Sequence, residues 1–107
     1  MSLDVTLYAM RRTGVYDANI THNLNKMAEA AGLYEYLWRP EEKGIYKAVQ
    51  LTQPLSDGLL KLETSPDYFK TFNPENAWGS YDDLVNFVRA YLKACRENPD
   101  AEIEVSR

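Results

Sequence analysis

A chain of 107 residues with 45% apolar and 26% charged residues has the size of one domain with one modest core, and is too apolar for disorder. Its formal charge of −4 divides unevenly, six Lys/Arg against six Asp/Glu over residues 1–50 and six against ten over residues 51–107, so it lacks the cationic surplus that bulk nucleic-acid binding needs. A membrane span, needing roughly 18 apolar residues in a row, is absent; the start MSLDVTLYAMRR does not read as a secretory leader. One Cys excludes an internal disulfide, and with one His it supplies a metal site poorly. The expectation is a single domain over 1–107 in the cytoplasm, with no cofactor, no metal and no membrane.

Asp4 to Met10 alternates, with Val5, Leu7 and Ala9 on one face, and predicts a strand with that face inward. Arg11 to Ala18, with Gly14 among polar residues, reads as a loop. Asn19 or Thr21 caps a helix running to Ala31, with Ile20, Leu24, Met27, Ala28 and Ala31 as its buried stripe and Gly32 as a left-handed terminator. Leu33 to Trp38 fits both the strand and the helix period; the reading is a short helix stopped by Arg39-Pro40, with a turn over Glu41 to Gly44.

From Tyr46 to Glu63, Ala48, Leu51, Leu55, Leu59 and Leu62 recur three and four apart, a helix in which Pro54 and Gly58 predict a kink or break near Gln53. Ser65-Pro66 opens a short helix to about Phe72, and Asn73 to Gly79 is a loop. The strongest pattern is Ser80 to Arg96. There Leu84, Phe87, Val88, Tyr91, Leu92 and Cys95 form one wide apolar stripe, Ser80 caps, and Asp82 and Asp83 suit the positive end of the helix dipole. Ala101, Ile103 and Val105 alternate with Glu102 and Glu104 in a closing strand. The sum is a helix-dominated α+β domain, β-α-α-α-α-β, its helices packed on a small sheet of paired terminal strands whose relative direction is open. Pairing with a second copy, as a homodimer, is one way to cover the sheet's edges.

The segments Ile20 to Pro40, Phe72 to Leu84 and the AEIEVSR ending resemble a family of small uncharacterised proteins encoded by bacteria and their phages. The resemblance implies a compact single domain of phage or prophage origin, and carries over no activity, cofactor or catalytic residue.

Chemistry-bearing residues are few. His22, the sole histidine, reads as a capping and hydrogen-bonding residue, with ligand contact and general-base work as alternatives. Cys95 lies on the apolar stripe, where a thiol is a small hydrophobe rather than a nucleophile. Trp38 ends an element beside Arg39, and Trp78 sits in a loop just before a helix. These suggest one pocket between the Asn19–Asn23 helix start, the Trp38-Arg39 end and the Asn73–Gly79 loop. It would hold a small anionic or aromatic ligand, a nucleotide among the candidates, with Arg11 and Arg12 as further cations. Against it stands the plainer reading that both tryptophans anchor loops while Asn73 bonds turn backbone. The favoured function is therefore a non-enzymatic interaction module, a phage-derived accessory protein engaging a host protein through an edge strand or exposed aromatics. Small-ligand capture through Asn19, His22, Asn23, Trp38, Arg39, Asn73 and Trp78 is the alternative, and an enzyme working through His22 the third.

Overall fold

The computed structural model describes residues 1–9 and 13–107. Its frame is a sheet of order β2-β1-β3, built from β1 (Ser2–Ala9), β2 (Thr13–Thr21) and β3 (Glu102–Ser106). β1 pairs antiparallel with both neighbours. The terminal strands thus pair as the alternation predicts, and their direction is now fixed.

Period-two alternation makes one face of this sheet dry. Leu3, Val5 and Leu7 are fully buried, and across from them lie Ile20, Ala18 and Tyr16 on β2 and Val105 and Ile103 on β3. The opposite face carries Asp4, Thr6, Asp17, Asn19, Glu102 and Glu104. Helices cover the dry face only, as expected of an α+β fold with an antiparallel sheet.

β2 corrects the sequence reading. Thr13 to Ala18 is strand rather than loop, and the strand also takes up Asn19 and Ile20; Met10, Arg11 and Arg12 lie outside the described residues. Gly14 and the polar Thr13, Asp17 and Asn19 hide the pattern, because an edge strand with one wet face has few apolar positions. A bulge at Leu7/Tyr8, with Leu7 opposite Tyr16 but Tyr8 opposite Gly14, also breaks the alternation at Val15.

The helix start is Thr21, whose Oγ1 accepts the Asn23 N–H at 3.3 Å above a 3₁₀ turn of His22–Leu24. α1 (Asn25–Ala30) follows and ends at Gly32, which adopts φ 74°. α2 (Tyr34–Trp38) confirms the helical reading of that ambiguous run, and Gly44, at φ 71°, closes a 3₁₀ turn over Pro40–Lys43.

α3 (Val49–Thr64) starts three residues later than the leucine spacing predicts and continues unbroken through Pro54. The delay has a cause: Tyr46 to Val49 runs beside β3. Ile103 N–H donates to the Tyr46 carbonyl, Ala48 N–H to the Ala101 carbonyl and Val49 N–H to the Pro99 carbonyl, each at 2.9 Å. Gln50 Oε1, in the first turn of α3, accepts the N–H groups of Tyr46 and Lys47 at 2.9 Å each, so its side chain ties the preceding segment to the helix start. Gly58 marks a close approach: a Cβ there would stand 2.2 Å from Leu33 Cδ2.

α4 (Pro66–Lys70) and α5 (Tyr81–Glu97) complete the layer. The Ser80 hydroxyl accepts the Asp83 N–H at 3.3 Å, the cap read from the sequence. α5 buries the whole predicted stripe, Tyr91 and Cys95 included, against α3 and β2.

Candidate binding groove

α5 has a second stripe that shares Phe87 with the buried one. Asp83, Asn86, Phe87 and Ala90 stand three, four and seven residues apart, so they share one face of the helix. That face looks across a groove of about 600 Å³ to the run Tyr16, Ala18, Asn19, Ile20 and Thr21 of β2, and the turn Ala77-Trp78-Gly79 closes one end.

The groove reaches the backbone edge of β2. His22 N–H donates to the Met1 carbonyl at 3.2 Å, which makes Met1–His22 a hydrogen-bonded pair. Antiparallel pairs alternate, so Leu3–Ile20, Val5–Ala18 and Leu7–Tyr16 are bonded and Asp4–Asn19 and Thr6–Asp17 are not. The β3 side agrees, since Leu7 turns its groups to β2 while its opposite number Ile103 donates outward to Tyr46. The N–H and C=O groups of Asp17, Asn19 and Thr21 therefore point away from β1, along the sheet edge that the groove borders.

Trp78 is 69% exposed. Its N–H donates to Asn76 Oδ1 at 3.0 Å, and its carbonyl accepts a long 3.5 Å bond from Asn23 Nδ2. Ala77 before it holds φ 62°, a conformation that L-residues adopt at a cost of about 1–2 kcal/mol. Gly79 after it adopts φ 100°, and a Cβ there would lie 2.7 Å from Thr21 Cγ2. Trp78 thus owes its exposed position to a strained turn fitted tightly against the end of β2.

Behind the groove wall lies a buried ring cluster. Tyr16 stacks on Tyr91 at 6.0 Å, and Phe87 meets Tyr91 at 5.9 Å. The Tyr91 hydroxyl is buried with no hydrogen-bond partner among the described residues. Burial raises the pKa of Tyr91, and the neighbouring Cys95 and Tyr16 add to the effect. Burial likewise raises that of Tyr16, with Cys95 and Asp17 contributing, and pushes the Cys95 thiol up to about 12. A thiol held neutral in an apolar core is not a nucleophile.

The single pocket predicted from the sequence divides into separate places. Asn19 and Trp78 line the groove, and Asn23 braces its loop. Asn73 Oδ1 accepts the Tyr81 N–H at 2.8 Å, the turn-bonding role of the plainer reading. Trp38 is 2% exposed and does not line the groove. Its indole N–H donates to His22 Nδ1 at 2.7 Å and its ring stacks on Tyr34 at 5.4 Å. Arg39 donates to the Tyr34 hydroxyl and, at 2.8 Å, to Glu42, contacts that raise its pKa further. Arg107 donates to the Trp38 carbonyl at 2.8 Å and to Glu41. This second cluster is a fastening. Because the indole N–H can only donate, this contact occupies the Nδ1 lone pair of His22.

Among the described residues, no group of three or more His, Cys, Asp or Glu is placed to hold a metal ion, and no helix is long and apolar enough to cross a membrane. No protein-family model, curated protein or solved structure matches this chain. The site's meaning therefore rests on its geometry.

Tyr16, Ala18, Asp83, Asn86, Phe87 and Ala90 are the groove residues that lie outside the segments read as a pocket from the sequence. The spacing of the α5 stripe is visible in the sequence. Its partner is not, since Tyr16 to Ile20 alternates only once β2 is recognised as a strand.

Proposed function

We propose that this protein is a binding module that takes an extended segment of a partner protein onto the free edge of β2, with that segment's alternate side chains entering the groove. The observation that carries the reading is the joint lining of one groove by an edge strand and a helix face. Such a site offers backbone pairing for affinity and side-chain pockets for selection. Tyr16 to Thr21 spans about 17 Å at strand rise, room for roughly five residues of an added strand. The dry wall of Ala18, Ile20, Phe87 and Ala90 suits apolar side chains. An anionic small ligand is poorly served, since no Lys, Arg or His is among the described residues that line the groove.

Amide hydrogen exchange read by NMR tests this, comparing the free chain with the chain saturated by an octapeptide selected from a random display library. Edge pairing slows exchange at Asp17, Asn19 and Thr21 while leaving Leu3, Val5 and Leu7 as protected as before. Unchanged exchange at those three amides, with shifts confined to Trp78 and Phe87, would mean a ligand sitting in the groove without adding a strand. Protection already present in the free chain, growing with its concentration, would make the occupant a second copy. Either result overturns the reading.

A further inference from the structure

The two ends of the groove differ in chemistry. Gly79 packs against Thr21, and Asp83 lies in the first turn of α5, so the Trp78 turn and the Asp83 carboxylate belong to the same end. Toward the other end stand Tyr16 and Ala90. The Ser80 cap uses only the backbone N–H of Asp83, and the residue is exposed. Arg89, a cation on the same helix, donates to Asn86 Oδ1 at 3.2 Å and to Glu63 on α3 at 3.0 Å. Those contacts draw its guanidinium toward α3.

We infer that the Trp78–Asp83 end is an arginine seat, so that the segment added to β2 is selected for a guanidinium at that position and for apolar side chains beyond it. The inference rests on the edge-pairing reading. An exposed indole offers a face on which a planar cation stacks, and a carboxylate at the same end can accept its N–H donors. Neither feature alone would select a partner. No Lys, Arg or His among the described lining residues competes for the Asp83 carboxylate, which the dipole of α5 offsets only in part, and the protein's net charge of −4 favours approach of a cationic segment.

The test uses octapeptides selected from a random display library on the full chain, with affinities measured by fluorescence anisotropy. Two variants report on the groove itself: Asn19→Pro removes an edge donor, and Ala90→Arg fills the far end from an exposed helix position. Two report on the seat, Asp83→Asn and Trp78→Ala. The expected result is peptides that carry arginine and fail on the groove variants. Binding should weaken about tenfold on Asp83→Asn or on Arg→Ala in the peptide, with the two losses non-additive in a double-mutant cycle. Peptides that fail on both groove variants, yet lack arginine and ignore Asp83→Asn, overturn the seat and leave edge pairing standing. Equal binding of an Arg→Lys peptide overturns the stacking that singles out arginine. Peptides indifferent to the groove variants, or no selected peptide at all, overturn edge pairing and the seat together.

Discussion

At the start of β3 the outward Ile103 N–H and the preceding Ala101 carbonyl are met by the Tyr46–Val49 segment, whereas along β2 Asn19 and Thr21 border a groove. The two edges belong to one small sheet and flank the same central strand, so the fold could have treated them alike. An unpaired edge invites association with any extended chain. One edge is covered over its first residues by the protein's own backbone, and the other lies beside a helix stripe and a largely exposed tryptophan. The difference argues that β2's edge is kept for use.

The sharpest way to break that comparison is to place the same substitution on both edges. Ile103→Pro removes an N–H bonded to Tyr46 and most of a half-buried side chain, and should cost about 3 kcal/mol or more by urea denaturation. Asn19→Pro removes an N–H that points off the sheet and should cost about 1 kcal/mol or less. Equal costs would mean that the β2 edge is also engaged within the chain.

What the sequence made legible follows the same division. β1, β3 and α5 were readable because each has one dry face that its spacing repeats, α2 fitted either period and was decided by the Arg39-Pro40 stop, and Ser80, Gly32 and Gly44 announce their turns chemically. β2 was not, because an open edge strand is wet on one face and, here, bulged at Val15. The late start of α3 was hidden as well: the leucine spacing cannot reveal that Tyr46 to Val49 is claimed by β3. Of the residues read as a pocket, Trp78 and Asn19 lie on the groove, but the neighbours they have there depend on a strand pairing that no local pattern discloses.

A second expectation concerns the cluster that backs the open edge. Cys95 is fully buried, and burial pushes its thiol up to about 12. In the unfolded chain it ionises near its ordinary value, so above about pH 9 the unfolded state loses a proton that the folded state keeps. The thiol's stabilising contribution is complete below that pH. It should then fall by about 1.4 kcal/mol per pH unit until about pH 12. Denaturation midpoints measured from about pH 8 to about pH 10.5 would show the decline. Cys95→Ala should lower stability throughout and flatten that slope. A wild-type slope already flat would mean that water reaches the thiol through the groove wall.

Next in size is the turn that closes the groove. Gly79→Ala places a Cβ 2.7 Å from Thr21 Cγ2 and 3.0 Å from Leu24 Cγ, at a φ that disfavours any side chain. The expected loss is about 1–3 kcal/mol, accompanied by weaker peptide binding as Trp78 moves off the end of β2. Normal stability with lost binding would show that the turn relaxes freely and that its fit serves the site alone.

The smallest expected effect on stability bears most directly on function. Trp78→Ala removes a ring that is mostly in water, so the free protein should change by no more than about 0.5 kcal/mol in urea denaturation. Its peptide affinity should nevertheless fall, because the ring forms one end of the groove. A large aromatic that adds nothing to the fold, held out by a left-handed alanine and a clash-limited glycine, is costly to keep unless it meets something. A destabilisation of several kcal/mol would instead identify Trp78 as the cover of its own loop. The open edge of β2 would then lose its strongest mark of use.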